Sequence, residues 1–166
     1  LAGMANSGTA GYFAGGNNSS FALLSSVEKV AFPGDTISTL GTGLSAANRA
    51  LGGMANSGTA GYFGGGITSA SYVATVDKFA FPGDTRTTLG TGLSTATQQL
   101  SAMSNNAVAG YFTGGMQSGA SKTATVQKCA FPSDTRSILG TGLSAATSTL
   151  AGMANSGTAG YFGGGI

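Results

Sequence analysis

At 166 residues the chain is long enough for one domain, and 41% hydrophobic with 7% charged residues excludes a disordered polymer, which needs high charge and few apolar groups. The 30 glycines follow no Gly-X-Y period, which excludes collagen. A net charge of +2, from seven cations and five anions, gives no basic face, so no nucleic-acid partner is expected.

In chain order, the stretch Met-Ala-Asn-Ser-Gly-Thr-Ala-Gly-Tyr-Phe begins at Met4, Met54 and Met153, with an altered copy at Met103. Ala-Phe-Pro-Gly/Ser-Asp-Thr alternates with it at Ala31, Ala80 and Ala130. Leu-Gly-Thr-Gly-Leu-Ser follows at Leu40, Leu89 and Leu139. A period of about 50 residues marks an array of one supersecondary unit. The units run 1–49, 50–98 and 99–148, with a partial fourth at 149–166.

The second unit serves for all. Leu51–Asn56 reads as a first strand of small apolar residues, and Gly58 supplies the positive φ of the turn after it. Ala60–Gly64 reads as a second strand, with Tyr62 and Phe63 on opposite faces because side chains alternate. Tyr72–Phe81, rich in β-branched and aromatic residues, reads as a third strand. Pro82-Gly83-Asp84-Thr85 reads as a turn with Pro and Gly at its two central positions. Arg86–Leu93 reads as a fourth strand, and a helix is conceivable only over Ser94–Leu100, where Gly and Thr favour a connection instead.

The expected fold class is all-β: a β-propeller-like array of four-stranded antiparallel blades. Aromatics on both faces of the second strand suit a blade with a neighbour on either side. Small first-strand residues suit a crowded centre, and so many glycines point to close backbone approach.

Tyr-Phe-X-Gly-Gly followed by Val-X-Lys-X-Ala-Phe-Pro-X-Asp-Thr resembles the kelch repeat along the whole chain. Gly15-Gly16, Gly65-Gly66 and Gly114-Gly115 match its glycine doublet, and Phe32, Phe81 and Phe131 lie near its Tyr position. The kelch Trp of the fourth strand is absent, with Ile37, Arg86 and Arg136 near its place. The pattern also resembles Gly-Tyr-rich kelch-like arrays of aquatic phages, which implies a virion or tail-fibre component and an extracellular or virion-associated location.

The distance from Asp to the next Met is 19 in all three cases, whereas Met to Asp is 31, 30 and 31. The variation falls in the loop between the glycine doublet and the third strand: 17–26, 67–75 and 116–125. A rigid frame with one variable loop per unit can present a binding face. Phe21, Tyr72 and Lys122 are the contact candidates for a cell-surface glycan or protein. The other reading is a surface loop free to drift. Asn17-Asn18-Ser19-Ser20 holds two overlapping glycosylation sequons, which matter only in a host that glycosylates.

Lys29, Lys78 and Lys128 recur in the third strand, and Asp35, Asp84 and Asp134 in the turn after it. They read either as a charge ring or as an Asp capping its own turn beside a solvent-facing Lys able to pair across strands. The Asp residues stand a blade apart, too far to share a metal, so no metal and no cofactor is expected. The chain has no His, so neither a Ser-His nucleophile nor the Tyr-Cys-His copper set of kelch-containing oxidases can be assembled, and no enzyme is expected. Cys129, the single cysteine, aligns with Val30 and Phe79 and reads as a small buried apolar residue. No apolar run reaches the ~18 residues of a membrane helix, so no membrane insertion is expected.

The expectation is a non-enzymatic structural repeat protein: fibre, spacer or adhesin. Glycan or protein binding through the variable loops is the alternative. Leu1–Gly16 nearly duplicates Leu150–Gly165, as in a window from a longer array. The initiator Met and a leader pattern are absent from the first residues. Three and a third blades leave an open arc, so the expected partners are further repeats of the same chain or other copies of it.

Overall fold

The computed structural model describes residues 1–166 as an all-β chain. The first unit is an antiparallel meander of β1 (Ala2–Asn6), β2 (Ala10–Ala14), β3 (Val27–Ala31) and β4 (Thr36–Thr39), in that spatial order. The second repeats it with β5 (Gly52–Asn56), β6 (Ala60–Gly64), β7 (Val76–Ala80) and β8 (Thr85–Thr88). The third has β9 (Ser101–Asn105), β10 (Ala109–Thr113), β13 (Val126–Ala130) and β14 (Thr135–Ile138), with β11 (Met116–Gln117) and β12 (Ser121–Lys122) as a small hairpin in its variable loop. The fourth unit contributes only β15 (Ala151–Asn155) and β16 (Ala159–Gly163).

The register recurs without slippage. Tyr12 faces Lys29 across β2–β3, Tyr62 faces Lys78 across β6–β7, and Tyr111 faces Lys128 across β10–β13. A slip of one residue would move every side chain to the other face, so buried alternation fixes it.

The outer strands are shorter than the sequence suggests. Residues 72–75 do not pair with β8, because their backbone is engaged elsewhere. Val73 N–H donates to Gly66, and the Ala74 and Val73 carbonyls accept from Leu93 and Thr97. The Gly-Thr-Gly-Leu segment therefore leaves the sheet at Thr88 and folds back across the unit's own loop. Ser94–Leu100 contains no helix.

The Phe-Pro turn also differs from the expected form. Ala80 pairs with Thr85, so four residues make the connection, and all three Phe–Pro bonds are cis. The left-handed residue is not Gly but Asp: Asp35, Asp84 and Asp134 have φ of 50°, 53° and 58°. Asp tolerates this region because its short polar side chain can bond locally or nearby.

The core lies between successive sheets. One cluster joins Met4 and Tyr12 of the first sheet to Phe63 and Phe79 of the second. The next joins Met54 and Tyr62 of the second to Phe112, Cys129 and Phe131 of the third. Tyr62 and Phe63 thus serve opposite interfaces. Neighbouring sheets come closest at their first strands: a Cβ on Gly53 would lie 2.6 Å from the Gly3 carbonyl oxygen. Only small residues permit that approach.

Candidate functional site

The repeated residues converge on a joint between one sheet and the next. At the first joint, Asp84 receives two donors from the preceding sheet. The Tyr12 hydroxyl donates to Oδ1 at 2.8 Å, and Lys29 Nζ donates to Oδ2 at 2.6 Å. The Tyr12 ring stacks on Phe81 with centroids 5.2 Å apart, and the ammonium of Lys29 lies 5.5 Å from the Tyr12 centroid. The second joint repeats this geometry. Tyr62 and Lys78 donate to Asp134 at 2.7 and 2.6 Å, and Tyr62 stacks on Phe131 at 5.2 Å.

Three further contacts complete each joint. The Met4 side chain fills the space a Cβ would occupy on Gly61, and Met54 does the same at Gly110. Any side chain on those glycines would displace a buried thioether. The Asn6 side-chain oxygen accepts from Gly58 N–H at 2.7 Å, and Asn56 accepts from Ala107 at 2.9 Å. Asp77 Oδ2 accepts from both the N–H and the hydroxyl of Ser45 at 2.8 Å, a role Gln127 takes toward Ser94 N–H at 2.6 Å.

The electrostatics follow from this geometry. Burial, aided by the bond to Asp84, raises the Tyr12 hydroxyl above its ordinary value, and the same causes act on Tyr62 beside Asp134. The bond to Asp84 raises Lys29 against the opposing effect of burial. Asp84 therefore sits between a neutral phenol and a charged ammonium, with both oxygens engaged.

Asp84 and Asp134 thus bind the preceding sheet rather than their own turn. Lys29 and Lys78 pair between sheets, not across strands, and Lys128 forms no ion pair. Asp35 is the exception: it is exposed, and residues 1–166 place no sheet against that side of the first one. The same difference divides the phenylalanines. Phe131 is buried and Phe81 half-buried, but Phe32 is 43% exposed, so the three equivalent positions are not equivalent in packing. Gly15-Gly16, Gly65-Gly66 and Gly114-Gly115 all take positive φ. The second glycine of each pair donates to the connection beyond the fourth strand: Gly16 to Asn48, Gly66 to Thr97, Gly115 to Thr147. Cys129 is buried in the second core, which pushes its thiol up to about 11.

The variable-loop candidates are not gathered into one site. Phe21 is 87% exposed and overhangs an open groove of about 660 Å³ that includes Arg49, Ile67 and Thr68. Tyr72 instead reaches the third unit, its hydroxyl 3.9 Å from Met116 Sδ. Lys122 is exposed on β12, opposite Met116.

The Met seats, the Asn contacts and the Tyr–Asp bonds are not legible in the sequence of a single unit. Their common signal is that each pairs one repeat position with a different position of the next unit, Tyr12 with Asp84 and Tyr62 with Asp134. No family model matches the chain, and no curated protein matches it.

Proposed function

We propose that the chain is a non-enzymatic structural array, its sheets the blades of a propeller-like arc, serving as spacer, fibre or adhesin in an extracellular or virion assembly. The observation that carries this reading is the recurrence of the Tyr-Lys-Asp-Phe joint. At both joints the side chains that fasten one sheet to the next are ones that repeat from unit to unit, so repetition here serves assembly. The meander order and the close approach of successive first strands support a blade arrangement with the first strand innermost. The virion setting rests on the resemblance to phage arrays.

The exposed Phe21 and its groove favour a second reading, glycan or protein binding through the loops. A glycan array probed with the chain and with Phe21→Ala, Tyr72→Ala and Lys122→Ala variants separates the two. The structural reading expects no binding that depends on these residues. Loop-dependent binding would replace it with the binding module. Immunogold labelling of intact particles or cells tests the location.

A further inference from the structure

The loops of the first and second units leave a groove between them. Its volume of about 660 Å³ lies within the ~300–1,000 Å³ of small-ligand sites. Both walls are inside the array, with Phe21 and Leu23 on one side and Ile67 and Ser69 on the other. Arg49 borders the groove and is fixed to Ile67 by two backbone bonds, at 3.1 and 2.9 Å. Between the second and third units the same place is occupied. There Tyr72 stands where the first unit has Leu23, and its hydroxyl lies 3.9 Å from Met116 Sδ. Gln98 takes the place of Arg49, its amide 3.9 Å from the same sulfur.

Packing does not account for Phe21. Its ring is 87% exposed, and its backbone is left-handed with φ of 60°. Ala120 has the same φ of 60° in the third unit's loop, so this turn suits a small residue and gains nothing from a ring. The turn is braced on both sides of Phe21. The Asn17 side-chain amide donates to the Phe21 carbonyl at 2.7 Å, and Asn18 Oδ1 accepts from the Ser20 and Ala22 N–H groups at 3.0 and 2.9 Å. A held aromatic ring therefore stands beside the groove. Arg49, the one charged residue bordering it, is exposed and forms no ion pair.

We propose that this groove binds an acidic sugar of a surface glycan, a pyranose ring bearing a carboxylate. The face of Phe21 takes the C–H face of the pyranose, and Leu23 and Ile67 keep the adjoining surface apolar. The planar guanidinium of Arg49 meets the carboxylate with two parallel N–H donors. No carboxylate of the protein borders the groove, so nothing there competes for the cation or repels the ligand. The Ser69 hydroxyl and the Asn17 side-chain oxygen at the rim suit a ring that carries hydroxyls. A neutral sugar would cover the guanidinium without pairing it.

This inference rests on the second reading above, binding through the loops, and narrows it to one groove and one ligand class. Isothermal titration of the 166-residue chain with an oligogalacturonate and with sialyllactose, each beside its carboxyl-reduced counterpart, tests it. The acidic sugars should bind, more weakly as salt rises, and the reduced ones should not. Arg49→Gln should weaken binding about tenfold or more. Arg49→Lys should not restore it, because an ammonium lacks the planar fork. Phe21→Ala should weaken binding several-fold, and Lys122→Ala, which removes an exposed cation outside the groove, should leave it unchanged. All four variants should melt as the wild type does, which separates lost binding from lost folding. Binding that survives Arg49→Gln, equal binding of the reduced sugars, or no binding of either acidic sugar would overturn the inference. Binding of a neutral glycan or an acidic peptide through Tyr72 or Lys122 would overturn it while leaving loop binding in place. No loop-dependent binding of any glycan or protein would remove both.

Discussion

The joint around Asp134 and the loop around Phe21 obey opposite rules within one repeat. At the joint, Tyr62, Lys78, Asp134 and Phe131 are held by 2.7 and 2.6 Å bonds and by stacking, and the same geometry recurs one unit earlier. In the loops, the pairing that follows the glycine doublet differs in span and extent: an isolated bridge at Asn17–Leu23, another at Ile67–Tyr72, and a short hairpin in the third. The difference shows what constrains this chain. A residue at the joint must fit particular side chains of two units at once, whereas the loops meet the preceding unit through backbone pairing, Arg49 with Ile67 and Gln98 with Met116, which constrains their side chains little.

The sharpest break of this contrast is Phe131→Ala. It removes a buried ring stacked between Tyr62 and Gly110 and is expected to destabilise by ~3–5 kcal/mol in chemical or thermal unfolding. Next is Asp134→Ala, which strips the acceptor from a phenol and an ammonium at once. A loss of about 1.5–3 kcal/mol is expected, as for hydrogen bonds to a charged group.

Alkaline pH attacks the same joint from the donor side. Tyr12 and Lys29 both have folded values raised above their unfolded ones, so each favours the folded state while protonated. Their contribution is fully present below the ordinary range near ~10 and is lost as pH rises through the folded values. Melting temperature should therefore fall above that point, and Asp84→Asn should flatten the fall. A melting profile level through strong alkali would contradict the assignment.

The weakest effects are expected outside completed joints. Phe32→Ala should cost well below the loss at Phe131, and Phe21→Ala should stay within about 0.5 kcal/mol of the wild type. Equal losses at Phe32 and Phe131 would erase the contrast between a made and an unmade joint.

Much of the array was legible because it depends on contacts near in sequence. The Tyr62/Phe63 alternation gave Ala60–Gly64 with its observed limits, and Gly58 has the expected positive φ of 79°. The outer strands were overdrawn, because nothing in Tyr72–Thr75 shows that its carbonyls serve the returning Leu93 and Thr97. The role of Asp84 was hidden for a related reason. Its partners, Tyr12 and Lys29, belong to another unit, and sequence alone does not say which face of one sheet meets which strand of the next. Likewise Phe32 and Phe81 look alike in sequence, and only the order of stacking makes one exposed and the other packed.

Lys29 with Asp84 and Lys78 with Asp134 fasten neighbouring units together. A double-mutant cycle on Lys78→Ala and Asp134→Ala, read by equilibrium unfolding, tests it most directly. The two losses should not add, with a coupling of about 0.5–3 kcal/mol. Losses that add within about 0.3–0.5 kcal/mol would mean that Lys78 and Asp134 act independently, and would contradict it.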